Sequence, residues 1–259
     1  MFNPAEIDNI ARVENFWWFR GMHAITFALL DPWMVRAGAR RVLEAGCGTG
    51  HFARLFEDRY GVPITPVDLE FQGVRHSRHR HHLHPAQASV AALPFADSTF
   101  DLVCNLDVLP HFSPGQEAPP FSELVRVLGP GGLLLVRAAA LDVFRSRHSQ
   151  YVGEVQRFTR ARLARLCESH RLRLVRLTYA NCLLTPAAFL KFRLWEPLTR
   201  QAPASGLAPL PDWLDRLLYC PLALERRWLR AGLNFPWGQS LLLLAQKPLD
   251  YFLAQKSVS

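Results

Sequence analysis

The 259-residue sequence predicts an α/β fold, an open and mostly parallel sheet with helices on both faces, and three observations lead there. Residues 42–50, Val-Leu-Glu-Ala-Gly-Cys-Gly-Thr-Gly, run an apolar strand into three alternating glycines, the composition of a strand-to-helix turn that lets a ligand reach the backbone. About twenty residues on, Pro63 to Val67 reads as a second strand ending in Asp68, where an open parallel sheet presents a carboxylate to ribose hydroxyls. Further apolar runs bounded by turn residues succeed these as later strands. The length suits one well-packed domain plus an elaboration.

Residues 1–39 precede the first strand and contain Glu14-Asn15-Phe16-Trp17-Trp18-Phe19-Arg20. Four consecutive aromatics on a helix turn about 100° apart, so they cannot all enter one core. The segment reads either as a helix on the sheet flank or as a helical lid. After the second strand, Arg75-His76-Ser77-Arg78-His79-Arg80-His81-His82-Leu83-His84 occupies an outer helix. Its five histidines allow loose chelation, but a solvated, partly helical surface is the first reading, and no metal is expected.

The stretch Ala91-Ala92-Leu93-Pro94-Phe95-Ala96-Asp97-Ser98-Thr99-Phe100-Asp101-Leu102-Val103 continues through a strand into Asn105-Leu106-Asp107-Val108-Leu109-Pro110-His111. Arg126-Val127-Leu128-Gly129-Pro130-Gly131-Gly132-Leu133-Leu134-Leu135-Val136 reads as a helix end, a tight turn and a buried strand. At the glycine turn, the second strand and these two stretches, in this order, the sequence resembles a class I S-adenosylmethionine-dependent methyltransferase of the type 11 group, over roughly residues 40–180. The resemblance implies a Rossmann-like seven-stranded sheet, mostly parallel with the last strand antiparallel, and S-adenosyl-L-methionine as cofactor. It sets Asp68 on the ribose, Glu44, Gly46, Gly48 and Gly50 at the methionine turn, and Ser89 and Val90 near adenine, with Leu69 among the cofactor contacts. Asn105 and Asp107 past the fourth strand, and Trp18 and Arg20 of a Trp-Trp-Phe-Arg segment found in a subset of the group, complete the expected cofactor set. That subset is linked to modification of glycans or lipid-linked sugars. Ser89 stands where the family often has an acidic residue, leaving adenine to Ser89 or backbone groups, and Pro110 replaces a Glu before the His.

Residues 137–158 leave the ligand-binding edge of the sheet as a polar loop with Asp142, Arg145, Arg147, His148, Tyr151, Glu154 and Arg157. His111 and His148 are the candidate general bases, with Tyr151 and Asp107 behind them; His148 is followed by Ser149, where the related subset has Asp. Thr159 caps a helix through Cys167, and Leu172 to Tyr179 alternates as the sixth strand. Residues 181–239 form a helical insert before the seventh strand, Ser240 to Gln246. Thr185 reads as a cap with Pro186 in the first turn, a Pro-rich link covers Ala202 to Pro211, and Pro221 kinks or splits the second helical stretch. Trp213, Leu214, Leu217, Leu218, Leu224, Trp228 and Leu229 make a stripe that reads first as core; a basic amphipathic helix resting on a membrane is the alternative. Both ends of the insert join the ligand-binding edge, so it roofs the acceptor pocket. The division is thus 1–39 lid, 40–180 with 240–250 core, and 181–239 insert.

The formal charge is +8, with 27 Arg against three Lys. This skew reads first as codon bias and second as an anionic substrate or membrane surface; no nucleic-acid partner is expected, because no such motif accompanies the charge. Cys47, Cys104, Cys167, Cys182 and Cys220 are scattered, consistent with reduced thiols in the cytoplasm. No signal peptide and no apolar run long enough to span a bilayer is read, so the chain is expected in the cytoplasm or peripheral to a membrane. The expected activity is O-methylation of a small molecule, glycan or lipid-linked sugar. The alternatives are methylation of a quinone or polyketide ring, and a catalytically inactive cofactor-binding scaffold.

Overall fold

The computed structural model describes residues 3–251. Seven strands form one sheet: β1 (Val42–Ala45), β2 (Ile64–Asp68), β3 (Ala86–Gln87), β4 (Phe100–Leu106), β5 (Leu128–Ala139), β6 (Arg173–Ala180) and β7 (Ser240–Gln246). Their spatial order is β3-β2-β1-β4-β5-β7-β6. The pairs from β3 to β5 are parallel, and β7 runs antiparallel to both β5 and β6. This is the seven-stranded, mostly parallel architecture expected from the sequence. The central strands are buried on both faces, as continuous runs such as Leu133–Val136 and Leu241–Leu244 require. The sheet order reverses between β1 and β4, which opens a crevice at the carboxyl ends of the strands.

The helices are α1 (Ala5–Val13), α2 (Trp17–Ala37), α3 (His51–Tyr60), α4 (Phe71–His81), α5 (Ala118–Val127), α6 (Arg147–Tyr151) and α7 (Arg160–Ser169). The insert adds α8 (Thr185–Phe189), a π-helical segment Leu190–Trp195, α9 (Glu196–Thr199) and α10 (Asp212–Arg230). One apolar layer joins the sheet to α5 and α7 through Phe121, Leu124 and Leu163; the opposite layer joins it to α2 and α3 through Leu30, Phe52 and Phe56. Thr159 caps α7 as expected, its hydroxyl accepting the Arg162 N–H.

Four local expectations change. Thr185 is no N-cap: its hydroxyl donates to the Cys182 carbonyl. The burial of β6 grows along its length instead of alternating, because only its second half is covered. Pro221 lies inside an unbroken α10. The Trp and Leu stripe is divided: Leu229, together with Leu222, enters the core beside α2, whereas Trp213, Leu217, Leu224 and Trp228 are exposed.

The insert and the amino-terminal helices hold each other. Asp215 of α10 accepts the Trp17 N–H at 2.7 Å and pairs with Arg20 at 2.7 Å, placing a carboxylate at the positive end of α2. Leu222 packs so closely on Gly21 that a Cβ there would lie 2.3 Å from its Cδ1. Glu225, fully buried on α10, accepts the Leu183 N–H at 2.7 Å and so fixes the start of the insert.

Candidate functional site

The crevice continues under α1, α2 and the insert as one cavity of about 1270 Å³. Pockets for one ligand are roughly 300–1,000 Å³, so this one has room for two. Its lower wall is made by backbone. Gly46, Gly48 and Gly50 have φ of +91°, +52° and +81°, a region L side chains rarely adopt. Gly46 and Cys47 both donate to the Val67 carbonyl, at 2.8 and 2.9 Å. A Cβ on Gly46 would meet Val108 at 2.1 Å, whereas Gly48 has nothing within 4 Å of that position and faces open space.

Asp68 sits beside this turn, its two oxygens accepting the Gly48 N–H at 2.6 Å and the Glu70 N–H at 2.8 Å. Burial raises its carboxyl above the usual range, against the opposing hydrogen bonds from Glu70, Gly48 and Leu69. A carboxylate offers about four lone-pair positions, so it retains capacity for hydroxyl donors. Glu44 also borders the cavity, and its Oε2 has no hydrogen-bond partner. Burial first and the charge of Asp68 second push Glu44 well up, with Arg137 opposing. A buried acid in this condition regains its charge most easily when a cation arrives. The residues present therefore fit a cationic nucleoside with ribose hydroxyls.

Other expected cofactor residues divide by position. Trp18, Leu69, Ser89, Val90 and Asp107 border the cavity. Asn105 does not: it is fully buried and its amide donates to the Ala45 carbonyl at 2.7 Å, bracing β4 against β1. Gly50 also stands behind the wall, packed against Ser77, and Arg20 turns away to Asp215 and the Tyr219 ring.

Both candidate bases border the cavity, in different electronic states. His111 places Nδ1 3.1 Å from the Gly153 carbonyl, which can only accept. The proton is therefore on Nδ1 and the basic lone pair on Nε2. Burial lowers its pKa despite that hydrogen bond, so the ring is neutral at neutral pH. His148 is the reverse: its Nδ1 accepts the Gly206 N–H at 3.0 Å, which assigns the proton to Nε2. Burial, Lys191 and Arg157 lower it to about 4.

Several residues of this site are not evident from the sequence. Arg137, at the end of β5, is 4% exposed, pairs with Asp107 at 2.7 Å and lies 5.5 Å from the Trp18 ring. A lone arginine ending an otherwise apolar buried strand is a usable signal for it. Glu14 and His51 give none. They meet in a cluster where His81 lies 3.4 Å and Arg80 2.9 Å from the Glu14 carboxylate, with His51 at 3.9 Å. Ligand-type atoms of Glu14, His51 and His81 lie within 4.8 Å of one another. Arg80 already supplies that carboxylate with positive charge. Burial works against Glu14, yet the His81 hydrogen bond and the charges of His51, His81 and Arg80 hold it below the usual range. His76 pairs with Asp8 at 2.9 Å in the same region. The histidine-rich helix is thus more than a solvated surface, because two of its histidines tie it to the chain around α1.

Comparison with known proteins agrees with this geometry. Residues 43–136 match the model of a family described as a methyltransferase domain. A probable S-adenosylmethionine-dependent methyltransferase of Mycobacterium tuberculosis is 37% identical over 125 residues, 48% of this chain and 43% of that protein. A malonyl-[acyl-carrier protein] O-methyltransferase of Enterobacter lignolyticus is 37% identical over 116 residues, 43% of this chain and 45% of that protein. The matched part spans under half the length of these curated relatives. Among solved structures, a chain of a complex containing the Haloferax volcanii Trm112 methyltransferase activator superposes with a TM-score of 0.61 at 18% identity, over 95% of this chain and 97% of that one. The fold is Rossmann-like, as in these solved structures, and residues 43–136 are similar in sequence to a methyltransferase domain.

Proposed function

We propose that the protein is an S-adenosylmethionine-dependent methyltransferase acting on a hydroxyl of a lipid-linked acceptor. One observation supports this most: a single cavity joins the glycine turn, Glu44 and Asp68 on one side to His111 and the largely apolar inner faces of the insert on the other. S-adenosylmethionine supplies, when bound, an electrophilic methyl group with its own leaving group. Asp68 accepts from ribose hydroxyls, and the Gly46–Gly48 backbone admits close approach. Glu44, with its unpartnered oxygen, balances cofactor charge. His111, through Nε2, takes the acceptor proton, a task required because an alcohol is a poor nucleophile. His148, holding a proton on Nε2, serves as a donor to the acceptor. Lys191 and Arg157 stand at that end of the cavity beside Glu6, Glu154 and Glu196, with Arg157 paired to Glu154 at 2.6 Å, so this wall offers both signs of charge to polar groups on the acceptor. The helices α1 and α2, as a lid, and the insert, as a roof, exclude water so that the methyl group reaches the acceptor alone.

Methylation of a quinone or polyketide ring is the second reading, favoured by the apolar roof. Product analysis separates the two, since an O-methyl and a ring methyl give different proton chemical shifts. Calorimetry with S-adenosylhomocysteine tests the cofactor assignment. Asp68→Ala is expected to lose about tenfold or more in affinity, the worth of hydrogen bonds to a charged group; unchanged affinity would remove Asp68 from the site. Cofactor binding with no turnover across hydroxylated lipid and ring acceptors would leave a scaffold.

A further inference from the structure

The surface of the insert carries a feature that methyl transfer does not use. Twelve of the seventeen large apolar side chains exposed among the described residues lie between Leu183 and Trp237. On α10 the exposed positions include Trp213, Arg216, Leu217, Cys220, Leu224, Arg227 and Trp228, recurring every three to four residues. That spacing puts them on one side of the helix. The rest of α10 is already engaged: Leu214 and Leu218 border the cavity, and Leu222 and Leu229 pack beside α2. The segment from Thr185 to Thr199 repeats the arrangement. Leu184, Ala188, Lys191 and Phe192 border the cavity, while Leu190, Leu194, Trp195 and Leu198 face outward.

We propose that this outer face of the insert docks on an anionic lipid bilayer, from which the acceptor enters the cavity. The inference rests on the reading of the acceptor as lipid-linked. Three observations choose the occupant. Exposed tryptophans (Trp213 is 67% exposed, Trp195 64%) are the side chains that sit best at the boundary between headgroups and acyl chains. The insert holds seven basic and four acidic residues, and of the acids Glu196 and Glu225 are buried while Asp215 pairs with Arg20. With Lys191 on the cavity side, six arginines against the one remaining acid, Asp212, leave its outer charge positive, the sign that an anionic leaflet attracts. A second copy of the chain fits poorly, because facing ridges would bring Arg216 and Arg227 against like charges in an interface core, where charge is depleted. No helix among the described residues is long and apolar enough to cross a membrane, so docking is peripheral.

Flotation tests this with the whole protein and vesicles of phosphatidylcholine alone or mixed with phosphatidylglycerol, some carrying brominated acyl chains. The protein is expected to float with the mixed vesicles, to release at high salt, and to have its tryptophan emission quenched by bromine. Replacing Trp213→Ser and Trp228→Ser together is expected to weaken the association by about tenfold or more, while affinity for S-adenosylhomocysteine stays constant and reports an intact fold. Failure to float with the mixed vesicles, flotation untouched by the double substitution, or a dimer in sedimentation velocity that the substitution dissolves would each overturn the proposal. Vesicle binding without binding of S-adenosylhomocysteine would instead overturn the methyltransferase reading and leave the docking face standing.

Discussion

The two sides of the cavity are built by different means. The proposed cofactor side is shaped largely by backbone within one stretch of chain, residues 44–90, where positive φ angles and N–H donors form the wall. The acceptor side is made of side chains drawn from α1, α2, the loop after β5 and the insert, segments nearly two hundred residues apart; Ser205 donates to Glu6 at 2.8 Å, for example. Backbone geometry tolerates little change, whereas a wall of side chains can be rebuilt residue by residue. On the proposed reading, one side fixes the donor and the other sets the acceptor.

The sharpest way to break that division is His111→Asn. The substitution is expected to lower kcat by about 10²–10⁴, the usual worth of a positioned base, with binding of S-adenosylhomocysteine and thermal stability unchanged. A fall of less than about threefold in single-turnover rate would show that the proton leaves by another route. Gly46→Ala should behave oppositely, losing stability and cofactor affinity together. Its Cβ would sit 2.1 Å from Val108 at a φ of +91°, and the expected cost is about 2–4 kcal/mol; calorimetric unfolding and titration measure both.

Acid gives the smallest effect and should act through the buried histidines that border the cavity. His23, His51, His111 and His148 are all lowered, chiefly by burial, while in the unfolded chain they titrate near 6.5. Below that pH the unfolded chain binds protons that the folded chain refuses. Stability should therefore fall as pH drops from about 6.5 to about 4, where His148 also charges. The raised carboxyls of Glu44 and Asp68 work the other way, contributing most at low pH and losing that contribution as pH rises through their folded values. His148→Gln should flatten the acid slope, measured as unfolding midpoint against pH; an unaltered slope would place the sensitivity elsewhere.

Legibility in the sequence divides along the same line. Alternating glycines, Asp68 and the buried runs of β5 and β7 are local patterns, so the strands and the glycine turn beside the cavity can be read from the chain, while the sheet's topology comes through the family resemblance. Arg20 and Asn105 fall among the expected cofactor residues through their sequence neighbours, but their side chains are taken by Asp215 and Ala45. Glu14 and His51 escape notice because their roles depend on partners brought together only by folding, whereas Arg137 leaves a signal as a lone charge in a buried strand. The stripe on α10 misleads for a related reason: a helix with apolar residues on two sides gives no sign of which side finds a neighbour.

The contact of Leu222 with Gly21 carries a consequence for how such a protein changes its acceptor. Because the first and last thirds of the chain meet at a residue lacking a side chain, any bulk gained there acts as a wedge between α2 and α10. A gain of bulk at that seam would need a matching loss in the facing segment, a constraint that the side chains lining the cavity elsewhere do not share.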